Sequence, residues 1–362
     1  MKIHMAGDIN SPNCISSRCR ALFKAGLNEH EFKISNIKPD AACVMLETSL
    51  LEEVQKACET QMEAPDVVLN MKDHSLWTLN EKSRNIAWVT WGKQGKVPEE
   101  LANKCNHMQK IVVTSEEDMR ALDMSGVNTE ILIIDEPIDS TVFGKINGTI
   151  DIANVTVEEN GLPIKQKKKA VLLQGRIGDE RSIIECLEVL CSKYKEEDLT
   201  VVLRVYKNTM GMQDDLEVAG IVNQVRQRTK SSGGPKVSIM TKLLADEELC
   251  MLYNSVDVVI NTSRLTSLEQ ITLQPILSNC NVITFNDSLS SRYNKGLHYV
   301  QSTQIPFYDG IQCSDLWLRS PNQRSLKECI DQALEGSKMT IETAEAVQKN
   351  CDPALVLSDI LC

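Results

Sequence analysis

Short apolar runs alternate with amphipathic patterns along nearly the whole chain, as in proteins that alternate strands and helices. The last residues, 325–362, have a helical pattern that one proline, Pro353, interrupts. The other predicted helices lie at about 15–25, 50–61, 116–124 and 214–229, and the predicted strands lie at 1–7, 41–46, 66–71, 85–90, 110–114, 130–134, 170–174, 200–205, 237–240, 256–261 and 281–285. Strand–helix alternation implies parallel sheets with helices on both faces, so the predicted fold class is α/β with Rossmann-like, doubly wound domains.

A polar stretch at 144–169, rich in Asn and Lys and ending in KQKKK, interrupts this alternation. Because 362 residues exceed what one hydrophobic core usually serves, two domains are expected. We predict an N-terminal Rossmann-like domain at 1–145, a linker at 146–168, a second Rossmann-like domain at 169–335 and a C-terminal helical segment at 336–362 that packs back on the first domain. Such sheets bind ligands at the carboxyl ends of their strands, so the two domains are expected to face each other across a cleft. We interpret the lysine cluster as a solvated linker, with contact to lipid phosphates as the alternative.

Charge and cysteine content narrow the class of protein. A net charge of −11 argues against a nucleic-acid-binding surface or a generally membrane-seeking one. No run approaches the roughly 18 apolar residues of a spanning helix, so membrane contact would be peripheral at most. Thirteen cysteines without a CxxC pair suggest reduced thiols, and no zinc-ligand spacing is visible. We expect a soluble, cytoplasmic protein without a metal site.

The stretch 170–191, AVLLQGRIGDERSIIECLEVLC, carries the main candidate chemistry. It predicts a buried strand broken by Gly175, a short polar loop, and a helix opened by Ser182. Arg176 and Arg181 flank the strand-to-helix turn. Two guanidinium groups beside a helix N-terminus suit a diphosphate, which needs forked donors and free backbone N–H groups. The alternative is a surface loop whose arginines pair with its acidic residues.

Five segments in order resemble the family-four glycosyltransferases, the large retaining group with the GT-B architecture. The GRIGDER loop is similar to that family's Gly-Arg loop, in which a second cation five residues after the arginine holds the donor diphosphate. The other four segments are IAWVTWGKQGKVPEEL at 86–101, IVVTSEEDMRALDMSGV at 111–127, ILIIDEPIDSTVF at 131–143 and LLADEELCMLYNSVDVVINTS at 243–263. The resemblance covers about two thirds of the chain and implies the GT-B fold, with two Rossmann-like domains facing across a cleft.

The sequence departs from the family at its paired glutamates, which lie eight positions apart. Aligning on LQPILSNCNVITF places Thr266 at the first position and Gln274 at the second. Threonine cannot place a negative charge beside a developing oxocarbenium ion, and glutamine contacts a ribose more weakly than a carboxylate does. Glu269 lies in the same loop but three residues out of register. A glutamate often found after the tryptophan of the first domain is replaced by Gly92.

The resemblance implies a metal-independent hexosyl transfer with retention, from a nucleotide sugar to a glycan, lipid or small-molecule acceptor. The donor would bind the second domain and no other cofactor is implied; the first domain would bind the acceptor. The residues implied for catalysis are Arg176, Arg181, Glu269 and His74, and those for binding are Gly175, Arg176, Arg181, Met240, Thr241, Lys242, Thr266, Gln274, Gly7 and Asn10.

Several alternatives stay open at the level of sequence. A lone histidine after a strand, such as His74, is more often a packing or surface residue. Asn10 is equally a turn former, and Trp88 and Trp91 suit a core or a cleft wall. The substitutions at the glutamate positions also fit a GT-B protein that has lost catalysis and serves as a binding or scaffolding subunit of an active transferase. A GT-B epimerase or phosphorylase fits the sequence less well than either.

Overall fold

The structure is a computed structural model. It describes residues 1–11, 13–36, 46–92, 95–144, 169–176, 182–196, 198–206, 212–230, 234–241, 244–263, 270–285, 293, 297–308, 313–336 and 341–362. Within these ranges, the side chains of 36, 176, 206, 212–215, 306–308, 313–317 and 341 are left undescribed.

The first lobe is built on a six-stranded parallel sheet with the strand order β2-β1-β3-β4-β5-β6. Its strands are β1 Lys2–Gly7, β2 Glu31–Asn36, β3 Val67–Asn70, β4 Arg84–Trp88, β5 Lys110–Val113 and β6 Ile131–Ile133. Its helices are α1 Cys14–Gly26, α2 Thr48–Glu59, α3 Glu99–Cys105 and α4 Glu116–Met124. The central strands are near-continuous apolar runs because helices cover both faces of the sheet, and every residue of β3 and β5 is buried.

The second lobe repeats the arrangement with the strand order β12-β11-β10-β7-β8-β9. Its strands are β7 Ala170–Arg176, β8 Thr200–Tyr206, β9 Lys236–Met240, β10 Val258–Asn261, β11 Asn281–Phe285 and β12 Leu297–Val300. Its helices are α6 Ile183–Lys193, α7 Met212–Arg228, α8 Asp246–Ser255, α9 Gln270–Leu277 and α10 Gln323–Glu335. The strand order reverses beside β1 in the first sheet and beside β7 in the second, and such reversals are where doubly wound sheets form ligand crevices.

The chain connects the lobes at two places. After β6 it forms a short helix, α5 Ser140–Phe143, which packs on α8 and α9 of the second lobe. The segment after α10 divides between the lobes. Its first helix, α11 Ile341–Asn350, packs on α9, and its second, α12 Pro353–Leu361, packs on α1 and adds Val356, Leu357 and Ile360 to the core of the first lobe.

The α/β fold class and most predicted strands are confirmed, within a few residues at their ends. Two expectations were wrong. The β7 strand does not break at Gly175: it pairs with β8 as far as Arg176, because glycine tolerates the positive φ of 136° found there. The C-terminal helical pattern has a second interruption, since α10 ends at Glu335 and Gly336 follows it.

Some strands were missed altogether. The sequence analysis did not identify β2 or β12, nor the antiparallel hairpin of β13 Ser302–Tyr308 and β14 Cys313–Pro321. β2 and β12 are edge strands, and β2 reads EFKISN, whose alternating polar residues lack the continuous apolar run of a central strand. The strand predicted at 41–46 lies almost wholly outside the described residues.

Candidate functional site

The loop after β1 is held in shape by the buried carboxylate of Asp8. The backbone N–H groups of Asn10 and Ser11 donate to Asp8 Oδ1 at 3.1 and 3.2 Å. The Ser11 hydroxyl and the Lys72 ammonium, the latter at 3.2 Å, donate to Asp8 Oδ2. Gly7, which ends β1, has no room for a side chain, because a Cβ would lie 2.8 Å from Cys19 Sγ. Asp8 therefore anchors part of the loop at the carboxyl end of β1 to Lys72, just beyond β3.

Asn10 lies on this loop, as its candidate role in binding requires. Its side-chain Oδ1 is buried without a hydrogen-bond partner among the described residues. Its backbone N–H serves the Asp8 turn, so the turn-forming role and a binding role are both compatible with its position.

Arg20 joins this loop to the second lobe. Its guanidinium donates from Nη1 to the Ile9 and Ser11 carbonyl oxygens at 3.0 and 3.3 Å. Its Nε and Nη2 atoms donate to the carboxylate of Asp246 at 3.1–3.3 Å. Asp246 is the first residue of α8, which follows β9. Arg20 therefore joins the loop after β1 in the first lobe to the start of α8 in the second.

A second arginine of α1, Arg18, is buried in the first lobe. It is 2% exposed and forms a two-pronged pair with Glu136, itself 1% exposed, including an Nε–Oε2 bond of 2.8 Å. Its guanidinium carbon lies 4.2 Å from the centroid of the Trp88 ring at the end of β4. Burial alone would lower the pKa of Arg18, but the charge and hydrogen bonds of Glu136 outweigh it, so this pKa lies above its ordinary value. The pair fixes the segment that leaves β6 for the second lobe.

The turn after β4 is held by Asp118, in the first turn of α4. Asp118 is buried, and its Oδ1 accepts a hydrogen bond of 2.9 Å from the N–H of Gly92. Gly92 has a φ of 68°, which favours glycine over the glutamate of the family pattern. Burial raises the pKa of Asp118 to about 6, against the opposing effect of the hydrogen bonds from the Gly92 and Trp91 amides.

Two residues on either side of the strand-to-helix connection of the second lobe have a positive φ. Gly175 has a φ of 136° and Ser182, the residue before α6, a φ of 47°. The Ser182 side chain does not cap the helix, so it accepts no hydrogen bond from the first N–H groups of α6. Arg176 ends β7 at the carboxyl edge of the sheet; its side chain and all of Arg181 lie outside the description.

Gln274 lies on α9 in a buried chain of polar groups. Gln174 Nε2 donates to the Tyr253 hydroxyl at 2.8 Å, and that hydroxyl donates to Gln274 Oε1 at 3.4 Å. Gln274 is 4% exposed, and the buried Tyr253 hydroxyl has a raised pKa because of desolvation. The structure thus connects Gln274 to the residue that precedes Gly175.

Met240 and Thr241 lie at the end of β9, as predicted. The Met240 side chain is 1% exposed and packs in the core of the second lobe, so its backbone is the part that could contact a ligand. Three further candidates of this lobe, Lys242, Thr266 and Glu269, lie outside the described residues.

The ring of His74 packs against an aromatic neighbour. It begins a short 3₁₀ turn, His74–Leu76, and its ring lies edge-on to Trp77 with centroids 6.4 Å apart. Its carbonyl oxygen accepts a bond of 3.1 Å from Lys104 Nζ. These contacts bind the β3 connection to α3, and they favour the structural interpretation of this histidine over a catalytic one.

The described ranges contain no group of three or more His, Cys, Asp or Glu side chains arranged to hold a metal ion. No helix in the described part of the chain is long and apolar enough to cross a membrane.

The sequence analysis missed several residues that shape the site. Asp8, Lys72, Arg20 and Asp246 were not singled out, and neither was the Arg18–Glu136 pair. Asp118 had a usable signal, because Ser115 precedes it by three residues and caps α4 by accepting from the Asp118 N–H at 3.1 Å. The other partners are far apart in sequence, up to 226 positions for Arg20 and Asp246, and no local spacing connects them.

Comparison with known proteins gives the fold a class. No protein-family model matches the chain, and no curated protein matches it in sequence. Solved structures do match over almost their whole length. HepE of Anabaena, in complex with UDP and glucose, is 13% identical with a TM-score of 0.62, covering 100% of this chain and 98% of that one.

Two further structures extend the comparison. The sucrose-phosphate synthase of Thermosynechococcus elongatus is 11% identical with a TM-score of 0.66, covering 100% of this chain and 98% of that one. An α,α-trehalose-phosphate synthase of Burkholderia xenovorans, in complex with glucose-6-phosphate, is 9% identical with a TM-score of 0.63, covering 99% and 100%. The chain therefore has the GT-B fold, with two Rossmann-like lobes. Its structural neighbours are GT-B glycosyltransferases, as the resemblance in sequence predicted.

Proposed function

We propose that the protein is a glycosyltransferase that moves a hexosyl group from a nucleoside diphosphate sugar to an acceptor in the cleft between the lobes. The observation that carries this proposal is the GT-B fold, in which Arg20 joins the loop after β1 of one lobe to Asp246 of the other. Neighbours such as the Anabaena protein were solved with UDP, which supports a nucleotide donor. We further propose that transfer proceeds with retention and without a metal ion, and that the protein acts in the cytoplasm.

The donor would lie mainly on the second lobe. Arg176 and Arg181 would neutralise the departing diphosphate beside the N-terminus of α6, which replaces the charge that a metal ion supplies elsewhere. The base would lie against the backbone at Met240–Lys242. The ribose would lie near Gln274, whose Oε1 already accepts from Tyr253, so its amide N–H groups are the polar atoms to offer a ribose oxygen.

The acceptor would enter from the first lobe, along the loop that Asp8 holds. Gly7 keeps the backbone close-packed there. Asn10 Oδ1 is a buried acceptor atom that would accept a hydrogen bond from a sugar hydroxyl. Thr266 and Glu269 would lie in the segment before α9, with Glu269 as the carboxylate available near the sugar. A lipid acceptor would be reached by peripheral contact at most.

A thermal-shift panel of UDP-, GDP- and ADP-sugars and free nucleotides, with and without EDTA, tests the donor site. A ligand at a hundred times its dissociation constant should stabilise the protein by about 2.7 kcal/mol. We expect one base to give such a shift in EDTA, and the Arg176→Ala/Arg181→Ala variant to lose it. The matched control is Arg228→Ala/Arg324→Ala, which removes two largely exposed arginines of the same lobe. A well-folded wild type that shifts with no nucleotide contradicts the proposal.

A second candidate function is a non-catalytic GT-B subunit that binds a partner transferase. The neutral Gln174–Tyr253–Gln274 chain, where the family pattern has a carboxylate, favours it. An assay for slow hydrolysis of the bound nucleotide sugar distinguishes an active transferase from a non-catalytic subunit. An active transferase releases free sugar and nucleoside diphosphate over hours, whereas a binding subunit holds the donor intact.

A further inference from the structure

Arg20 is placed unlike an ordinary arginine of a helix surface. It is 6% exposed, and its planar group is divided between two carbonyl oxygens of the first lobe and one carboxylate of the second. A buried guanidinium needs both a counter-charge and satisfied N–H groups. Asp246 supplies the charge, while Ile9 and Ser11 take the remaining donors. The orientation of Arg20 toward the loop therefore depends on Asp246.

The partners of Arg20 lie in different lobes. Ile9 and Ser11 belong to the loop after β1, and Asp246 is the first residue of α8. The guanidinium is rigid, so a displacement of the second lobe by a few ångströms cannot preserve the Asp246 fork and the two carbonyl bonds together. The start of α8 and the loop after β1 are thus linked through one group.

A second ion pair between the lobes lacks this link. Lys24 Nζ, one turn further along α1, lies 2.7 Å from Asp139 Oδ2. Asp139 caps α5, which packs on the second lobe, but Lys24 is half exposed, and within the described residues its ammonium donates to Asp139. The pair spans the lobes without touching the loop after β1, which makes it the natural comparison.

We infer that Arg20 is a positioning residue that holds the Ile9 and Ser11 carbonyl oxygens in place, and so completes the order of the loop, only while Asp246 at the start of α8 is in place. The coupling itself follows from the contacts. A further step rests on the proposed function: this coupling orders the acceptor half of the site after the donor half has closed. Donor binding near Met240–Lys242 would then favour acceptor binding near Asn10.

Hydrogen exchange of the Asn10 and Ser11 amides tests the coupling without any ligand. Both amides donate to Asp8 Oδ1, so their exchange reports opening of this loop. Asp246→Ala, a change in the other lobe, should speed their exchange by about tenfold, within the usual range of coupling between sites. Arg20→Lys should do the same, because an ammonium group cannot hold both partners.

Two variants serve as controls. Glu247→Ala removes an equal charge from the same turn of α8, and Lys24→Ala breaks the other pair between the lobes. Exchange at Asn10 and Ser11 should stay at the wild-type rate in both. Equal rates in Asp246→Ala and wild type would overturn the inference, and so would an equal acceleration in all four variants, which would indicate general loosening.

A kinetic arm separates this inference from the proposed function. With an active donor–acceptor pair, Asp246→Ala should raise the acceptor KM by about tenfold and change the donor KM much less, in line with the exchange result. If the wild type transfers no sugar, the proposed function fails while the exchange result still decides the coupling. If transfer occurs and both KM values rise equally, the assignment of Arg20 to the acceptor half is wrong.

Discussion

Arg18→Met is expected to lower the free energy of unfolding of the first lobe by about 3–5 kcal/mol at pH 7, the usual cost of leaving one buried ion without its partner. Glu136 is 1% exposed, and Arg18 provides its two-pronged contact. Methionine fills much of the volume against Trp88 but cannot neutralise the carboxylate. The loss of the guanidinium over the Trp88 ring adds a further fraction of this cost.

The double variant Arg18→Met/Glu136→Met is the informative control. Replacing both members of a buried pair by apolar groups is often nearly neutral, so the double variant should unfold at higher urea than Arg18→Met alone. Urea titration followed by tryptophan fluorescence gives the midpoints, with Trp88 as a reporter of the first lobe. A double variant that loses the sum of the two single effects would mean that the two residues act independently.

The same pair explains why much of the candidate site could not be predicted from the sequence. Arg18 and Glu136 are 118 positions apart, and neither stands in a local pattern that marks it as buried. Charged residues are rarely buried unless paired, and pairing between distant residues is a property of the fold. The same limit hid Arg20 and Asp246, whose contact requires both lobes to be assembled.

The fold was more predictable because its central strands carry their own signal. Runs such as VVLN in β3 and VVIN in β10 are apolar throughout, which strands covered on both faces require. Edge strands such as β2 have weaker constraints, and the β13–β14 hairpin stands apart from both sheets. Glycine often marks the end of a strand, so the sequence predicts that β7 stops at Gly175. Glycine also tolerates the positive φ found there, and the strand continues to Arg176.

His74 shows how much the position of a residue along a strand says about its role. A histidine just after a parallel strand lies at the edge where ligands bind, which made it a candidate for catalysis. In the structure its ring contacts Trp77, and its backbone carbonyl oxygen accepts a hydrogen bond from Lys104. These contacts agree with the packing role that the sequence also offered, and catalysis by His74 stays a prediction.

The first lobe should become less stable as the pH rises from about 4 to 7 through the ionisation of Asp118. Its pKa is raised from 3.8 to about 6 by burial. The folded state thus holds this proton more tightly than the unfolded state, and stability falls with rising pH between the two pKa values. The shift corresponds to about 3 kcal/mol of lost stability once the pH is well above 6.

Asp118→Asn should remove this pH-dependent loss. Asparagine keeps an Oδ1 acceptor for the Gly92 N–H, and the other oxygen, Oδ2, has no hydrogen-bond partner in the described structure to lose. Urea titrations at about pH 5 and pH 7.5 measure this effect. The free energy of unfolding of the variant, relative to that of the wild type, should rise by about 1 kcal/mol from the lower pH to the higher. The matched control is Asp123→Asn, an exposed carboxylate of the same helix, which should show no such gain.

The outcome also bears on the turn after β4, at the carboxyl end of that strand. If Asp118→Asn gains stability with rising pH and keeps the Gly92 amide protected from exchange, the carboxylate charge is a cost that the fold tolerates and the hydrogen bond is what shapes the turn. If the variant instead loses stability at every pH, the charge itself holds the turn, through its attraction to the Trp91 and Gly92 amides and to the N-terminal end of α4. A gain equal in Asp118→Asn and Asp123→Asn would mean that burial of Asp118 is not the source of the pH dependence.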